Sequence, residues 1–298
     1  MKLLRLVLLG WLPWVSAQAQ AQPVPPVAAT LLQALPVPGT AAAGVKPREL
    51  SGLAWSPDGQ TLLAVSDRGR LFRWQLRWSQ GLIDGLQPLS VHTLVHDGQV
   101  LNAEALAWQV LPAPTLVVAD ETAPQVWPVS PDGVLGAGQP LPAPLRDSHA
   151  RRGSNNGVEG LAWHPVHGWL AAAQRPLAGV PPGVHRLYGG TGVHWDLRAA
   201  APRSHVKALE LLPDGQLLVL ERFKQGDAHQ HVLRRVDLAR CGGAQPCTPP
   251  AWAVPLPAAA PPTLNLEGLA CLDGRRCLLV SDDGGQPGSG WFLLLALP

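Results

Sequence analysis

Glu49-Leu-Ser-Gly-Leu-Ala-Trp55 returns along the chain in four further versions: Asn102-Ala-Glu-Ala-Leu-Ala-Trp108, Gly157-Val-Glu-Gly-Leu-Ala-Trp163, His205-Val-Lys-Ala-Leu-Glu-Leu211 and Asn265-Leu-Glu-Gly-Leu-Ala-Cys271. The anchoring leucines Leu53, Leu106, Leu161, Leu209 and Leu269 are 53, 55, 48 and 60 residues apart. A period near fifty residues means that one supersecondary unit is repeated, because no single copy can bury its own apolar face.

Each copy is followed by a turn and a short apolar run. The turn Ser56-Pro57-Asp58-Gly59 leads to Leu62–Val65, and Leu212-Pro213-Asp214-Gly215 leads to Leu217–Val219. The other runs are Leu116–Val118, Trp169–Ala172 and Cys277–Val280. Runs this short, set off by Asp-Gly turns, read as hairpin strands buried on both faces. Further strands are expected at Leu71–Gln75, Gln125–Trp127, Val184–Tyr188, His231–Val236 and Trp291–Ala296, with weaker fourth segments such as Val91–Val95. Four strands per fifty residues is a propeller blade. The last repeat has only three, and Val27–Leu35 precedes the first without a blade of its own. The expected fold is therefore all-β: a single β-propeller of five blades, or six if one is degenerate. An N-terminal strand completes the last blade and closes the ring. An open solenoid would leave that strand unexplained.

Ahead of the ring, Lys2 and Arg5 precede the apolar run Leu6–Val15, and Ala17-Gln18-Ala19 gives a small-x-small pattern. These features predict a signal peptide over residues 1–19, then a loose segment 20–26 and a propeller domain over 27–298. Ten apolar residues are too few to span a bilayer, which takes about 20 in a helix. The expectation is a periplasmic or secreted protein with no membrane span after cleavage, and a monomer. Lys2 and Arg5 account for the whole formal charge of +2, so nothing suggests a nucleic-acid partner. Cys241, Cys247, Cys271 and Cys277 read as disulfides in an exported chain. Cys271 and Cys277 flank a tight turn and Cys241 and Cys247 a short loop, which favours local pairing. A four-cysteine zinc site lacks its usual spacing.

Polar residues end each apolar run: Ser66-Asp67-Arg68, Ala119-Asp120-Glu121, Ala173-Gln174-Arg175, Leu220-Glu221-Arg222 and Ser281-Asp282-Asp283. Two residues before each anchor stand Ser51, Glu104, Glu159, Lys207 and Glu267. In a propeller the start of the innermost strand and the end of the second strand meet at one face, so these positions surround one mouth of the central channel. Glu104, Glu159, Glu267, Asp67, Asp120, Glu221 and Asp282 would then share that mouth with Arg68, Arg175 and Arg222. So many carboxylates need a divalent cation, the arginines or raised pKa values to coexist. Singly, such residues often just cap turns. Trp55, Trp108 and Trp163 share one repeat position and read as wedges between blades. His229-Gln230-His231 lacks a third metal partner, and no Gly-x-Ser-x-Gly elbow is present.

Glu49-Leu-Ser-Gly-Leu-Ala54, Val158-Glu-Gly-Leu-Ala-Trp-His-Pro165, Leu217-Leu-Val-Leu-Glu-Arg222 and Asn265-Leu-Glu-Gly-Leu-Ala270 with Leu279-Val-Ser-Asp-Asp283 together resemble the phytase-like propeller family. That family is described as having esterase-like activity of phytase. The resemblance implies export, a propeller and hydrolysis of a phosphate ester. Gln174 departs from the glutamate, and Gly284 from the asparagine, that it leads one to expect.

Two readings follow. In the first, a metal-assisted phosphoesterase or esterase acts on a small-molecule ester or phosphate ester. Glu159, Glu267 and Asp282 are then catalytic, and Asp67, Glu104, Asp120, Glu159, Glu221, Glu267, Asp282 and Asp283 are candidate ligands of a divalent cation, Ca²⁺ first. Arg68, Arg175 and Arg222 grip substrate oxygens. In the second, a non-catalytic periplasmic propeller uses the same charged mouth to bind a ligand or protein.

Overall fold

A computed structural model describes residues 28–110, 112–123, 125–147, 157–286 and 288–298. The expected signal peptide at 1–19 and the segment 20–26 lie outside the described residues.

The repeated phrase forms the innermost strand of each of five four-stranded sheets: Leu50–Trp55, Ala103–Gln109, Val158–His164, His205–Leu211 and Asn265–Cys271. Each pairs antiparallel with the apolar run behind it, and in four sheets strand order follows chain order outward. The fifth is the exception foreseen above. Trp291–Ala296 pairs on one edge with Arg276–Asp282 and on the other with Thr30–Pro36, so the N-terminal strand completes the last blade. The innermost strands of blades five and one also pack together, which closes the ring at five.

Five apolar clusters hold the wheel together, one in each interface between neighbouring blades. Leu53, Leu106, Leu161, Leu209 and Leu269 each pack against the preceding blade, which is why leucine marks every copy. The second strands are apolar at every position because alternate residues serve opposite interfaces: Leu62 and Ala64 face blade five, Leu63 and Val65 face blade two. The small residue before the leucine is also explained. A Cβ on Gly52 would fall 2.8 Å from the backbone nitrogen of Leu106, so the next innermost strand leaves room only for hydrogen there. The Asp-Gly turns do what their chemistry requires. Gly59 and Gly215 take φ of 69° and 80°, and Asp58 and Asp214 each accept the N–H two residues on.

Cys241 pairs with Cys247 and Cys271 with Cys277, the local pairing expected. No helix among the described residues is long and apolar enough to cross a membrane.

Candidate functional site

Every innermost strand carries a β-bulge at one place. The ladder skips from Leu50 to Gly52, Ala103 to Ala105, Val158 to Gly160, Val206 to Ala208 and Leu266 to Gly268. The extra residues are Ser51, Glu104, Glu159, Lys207 and Glu267, the set two positions before each anchor. A bulge re-aims a side chain out of the alternating pattern, which is how five buried polar residues sit on otherwise apolar strands. All five are at most 6 % exposed.

The second strand supplies the facing set. The residue pairing each anchoring leucine is Ala64, Val118, Ala171, Val219 or Leu279, and three positions further come Asp67, Glu121, Gln174, Arg222 and Asp282. Asp120 and Glu221 therefore stand one residue short of the mouth. A slip of one residue turns a strand side chain to the other face. Asp120 instead caps the turn at Thr122 and Ala123. Glu221 is buried between Arg234 at 3.0 Å and His185 at 3.3 Å, and it also accepts the Ala200 N–H and the Ser204 hydroxyl. Burial works to raise its pKa, but these partners outweigh it and hold it low. The mouth residue missing from the sequence reading is Glu121, whose carboxylate accepts from Gly157 N–H and Asn102 Nδ2 and raises the pKa of Glu159.

The centre is organised by Lys207. Its Nζ lies 2.7 Å from Glu159 Oε2 and 2.7 Å from Glu267 Oε1. Burial works to lower its pKa, but the two carboxylates overcome that and hold the ammonium charged. Glu159 gives its other oxygen to Gln174 Nε2, so the glutamine provides a donor where a glutamate would repel. Both oxygens of Glu159 are thus engaged, and it positions Lys207. Glu267 Oε1 also accepts from Asn265 Nδ2 at 2.8 Å, which bonds Asp282 as well.

Next to Lys207, and sharing Glu267 with it, oxygens of Asp67, Glu104 and Glu267 lie within 4.8 Å of one another. Burial, then the charges of Glu159, Asp67 and Glu267, push Glu104 up to about 11. Burial chiefly raises Asp67 to about 7, against the pull of the Ser51 hydroxyl. Burial raises Glu159 to about 7 and moves Asp282 upward too. The donors are all hard oxygens, and they are destabilised by mutual repulsion and desolvation, which a divalent cation relieves. The trio has the donor chemistry to hold a hard divalent cation.

Beside the trio is a basic wall. Arg175 Nε lies 3.3 Å from His205 Nε2, and Arg222 Nη2 lies 3.3 Å from His205 Nδ1. Arg222 also donates to Asn265 Oδ1 and stands 4.0 Å from Glu267. Burial, then the two guanidiniums, lower His205 to about 4, so its ring is neutral at pH 7. A neutral imidazole has one lone pair, yet two guanidiniums are aimed at its two nitrogens. One donor is left over, and an anionic oxygen between the arginines would satisfy it. Arg68 is at the outer rim, paired with Glu49. Asp283 is spent on the N–H groups of Glu49 and Gly285. His229 Nδ1 lies 3.2 Å from Leu264 O and His231 Nε2 accepts the Leu266 N–H, and the pair has no metal-like third partner among the described residues.

A family model described as phytase-like, esterase-like activity of phytase, matches residues 47–285. The chain belongs to the phytase-like family. The matched span runs from just before the first bulge to just after Asp282, so it includes every residue of the mouth. Among solved structures this phytase-like chain is similar to a streptogramin B lyase, at 10 % identity over 88 % of this chain and 97 % of that one, with a TM-score of 0.39. It is also similar to virginiamycin B lyase from Staphylococcus aureus, at 10 % identity over 89 % and 99 %, with a TM-score of 0.39. A search of curated proteins finds no match.

The raised carboxyls set the pH dependence of stability. Asp67 and Glu159 move from ordinary values of 3.8 and 4.5 to about 7, and Glu104 goes higher, so the folded chain holds protons that the unfolded chain has released. Stability is then lost as pH rises from about 4 through 7, by about 1.4 kcal/mol per pH unit for each such carboxyl. In chelator, the melting temperature should be higher at pH 5 than at pH 8, and Ca²⁺ should narrow the gap. Differential scanning calorimetry measures both.

Proposed function

We propose that this chain is an exported phosphoric-ester hydrolase whose reaction centre is the acidic mouth, with a hard divalent cation held by Asp67, Glu104 and Glu267. The observation that carries the reading is adjacency: a carboxylate trio suited to a cation shares Glu267 with a wall of two arginines converging on a neutral histidine. Metal-philic and anion-philic groups side by side are what a phosphate ester asks of a site. When bound, the cation would polarise a phosphoryl oxygen and acidify a neighbouring water.

The chain's own groups do the rest. Arg175 and Arg222 bind and orient the anionic oxygens, and Asn265 fixes Arg222. Lys207 and Gln174 hold Glu159 and Glu267 in place. Neutral His205 spaces the two guanidiniums without adding a third positive charge between them. Export rests on the N-terminal signal pattern and agrees with two disulfides.

The test is hydrolysis of p-nitrophenyl phosphate by purified protein, with Ca²⁺ and with chelator. Turnover that needs the ion, and a KM raised about tenfold or more in Arg222→Ala, is expected. Absence of hydrolysis of any phosphate or carboxylic ester, whichever divalent ion is added, would sink the reading and leave the mouth a binding site only.

A further inference from the structure

At the opposite end of the channel the innermost strands run out at Trp55, Gln109, His164, Leu211 and Cys271. A cavity of about 420 Å³ opens there, lined by Trp55, Trp108 and Trp163 from three blades and by Glu210 from a fourth. Glu210 breaks the repeat. The other blades carry Ala54, Ala107, Ala162 and Ala270 at its position. It is half-buried, its Oε1 accepts the Cys271 N–H at 3.1 Å, and its Oε2 has no partner among the described residues. Among the described residues, no cationic side chain and no other titratable one lines the cavity.

The tryptophans have their own constraint. Trp55 Nε1 donates to Ala270 O at 3.1 Å, and Trp108 Nε1 donates to Trp55 O. With those N–H groups used, the two rings offer a ligand π surface rather than hydrogen bonds. A carboxylate that the fold leaves uncompensated, among indoles, attracts a cation whose substituents are apolar. An inorganic ion does not suit the place, because Ca²⁺ needs about six or more oxygen ligands and one carboxylate stands alone. Beyond Trp108 a second, mainly apolar cavity of about 600 Å³, lined by Leu63, Leu116, Pro128 and Val134 and also by Arg73, gives room for an uncharged hydrophobic body but not for the ammonium itself.

We propose that this mouth is a binding site for an organic ammonium ion bearing an apolar group, with Glu210 facing the charge and Trp55, Trp108 and Trp163 enclosing it. The site lies toward the other end of the innermost strands from the carboxylate trio and does not depend on hydrolysis there. Burial raises the Glu210 carboxyl to about 8, against the Cys271 N–H, and no neighbouring charge acts on it. Ligand affinity therefore rises as pH moves from 7 to 9, when Glu210 ionises.

Isothermal titration with benzyltrimethylammonium, whose charge does not change with pH, tests this in the presence of chelator, so the outcome is independent of any metal-dependent activity. Expected are saturable binding, affinity rising about tenfold from pH 7 to 9, and at least a tenfold loss at pH 9 in Glu210→Gln. Neutral benzyl alcohol should show neither dependence. Absence of saturable binding, or binding indifferent to both pH and Glu210→Gln, overturns the proposal. If the variant does not fold, the wild-type pH series decides alone.

Discussion

Lys207→Met should lower the melting temperature of the cation-free protein by about 10 °C at pH 7.5, the largest stability loss expected of any single surface-neutral change at the mouth. Lys207 is 2 % exposed and is the shared counter-charge of Glu159 and Glu267, each 2.7 Å away. Methionine keeps much of the volume but leaves two buried carboxylates facing each other. Removing one partner of a buried ion pair costs about 3–5 kcal/mol, and each kcal/mol moves the melting point of a chain this size by about 2–4 °C. The loss has a signature that simple packing damage lacks. It should shrink as pH falls toward 5 and Glu159, raised to about 7, takes up its proton, and the triple variant Lys207→Met with Glu159→Gln and Glu267→Gln should recover most of it. Calorimetry across pH makes both comparisons. A Lys207→Met protein as stable at pH 7.5 as the parent would mean that the lysine is not what neutralises the centre.

The wheel was legible because one physical demand recurs five times. Each blade must place a leucine against its predecessor and a small residue where the next innermost strand passes, so Gly-Leu-Ala or Ala-Leu-Ala returns at each turn. The bulge residues were legible too, because they sit a fixed two positions from the leucine with no intervening turn. The second set was legible only in part. Counting from the leucine crosses a hairpin whose length varies: Trp55 pairs with Leu62 but Trp108 with Leu116, and Leu211 with Leu217. Register across such a turn is set by pairing rather than by distance along the chain, so the spacing points to Asp120 and Glu221 and passes over Glu121, while Asp67, Gln174, Arg222 and Asp282 stand at the mouth as the sequence suggests. The turn residues themselves hold the missing signal, since one extra residue in the second hairpin shifts the exit by one.

Charge roles were harder still. The sequence places Lys207 in the acidic set, but only depth decides that it, rather than Arg68, compensates the carboxylates. Arg68 reaches the rim and pairs with Glu49. His205 opens the fourth copy as Asn102 and Asn265 open theirs, a polar residue at a strand start, and its meaning comes from Arg175 and Arg222 arriving from two other strand ends. The ten mouth positions carry six acids, Asp67, Glu104, Glu121, Glu159, Glu267 and Asp282, against Lys207 and Arg222. Both bases belong to blade four. The ring is therefore uneven, its bases gathered on blade four and its acids spread over the other blades, with Glu267 meeting both.

Glu104→Gln is the substitution that separates holding a cation from holding the fold. In the cation-free protein Glu104, pushed up to about 11 by burial and by Glu159, Asp67 and Glu267, carries its proton at pH 7.5. Glutamine has the shape of that protonated acid and the same neutral charge, so in chelator the melting temperature should move by no more than about 2 °C. The ligand set is another matter, because a hard cation needs the carboxylate and gains little from an amide. At a Ca²⁺ concentration about 100-fold above its dissociation constant, binding stabilises the parent by about 2.7 kcal/mol. That rise in melting temperature should vanish in Glu104→Gln, along with ion-dependent phosphate-ester turnover, by about 100-fold or more. Glu267→Gln should differ, since Glu267 also holds Lys207 and Asn265, and it should lose stability in chelator as well. A Glu104→Gln protein that keeps the full Ca²⁺-induced rise would take the cation out of the trio. One that collapses without the ion would show that Glu104 is ionised there, neutralised by the nearby Lys207 ammonium.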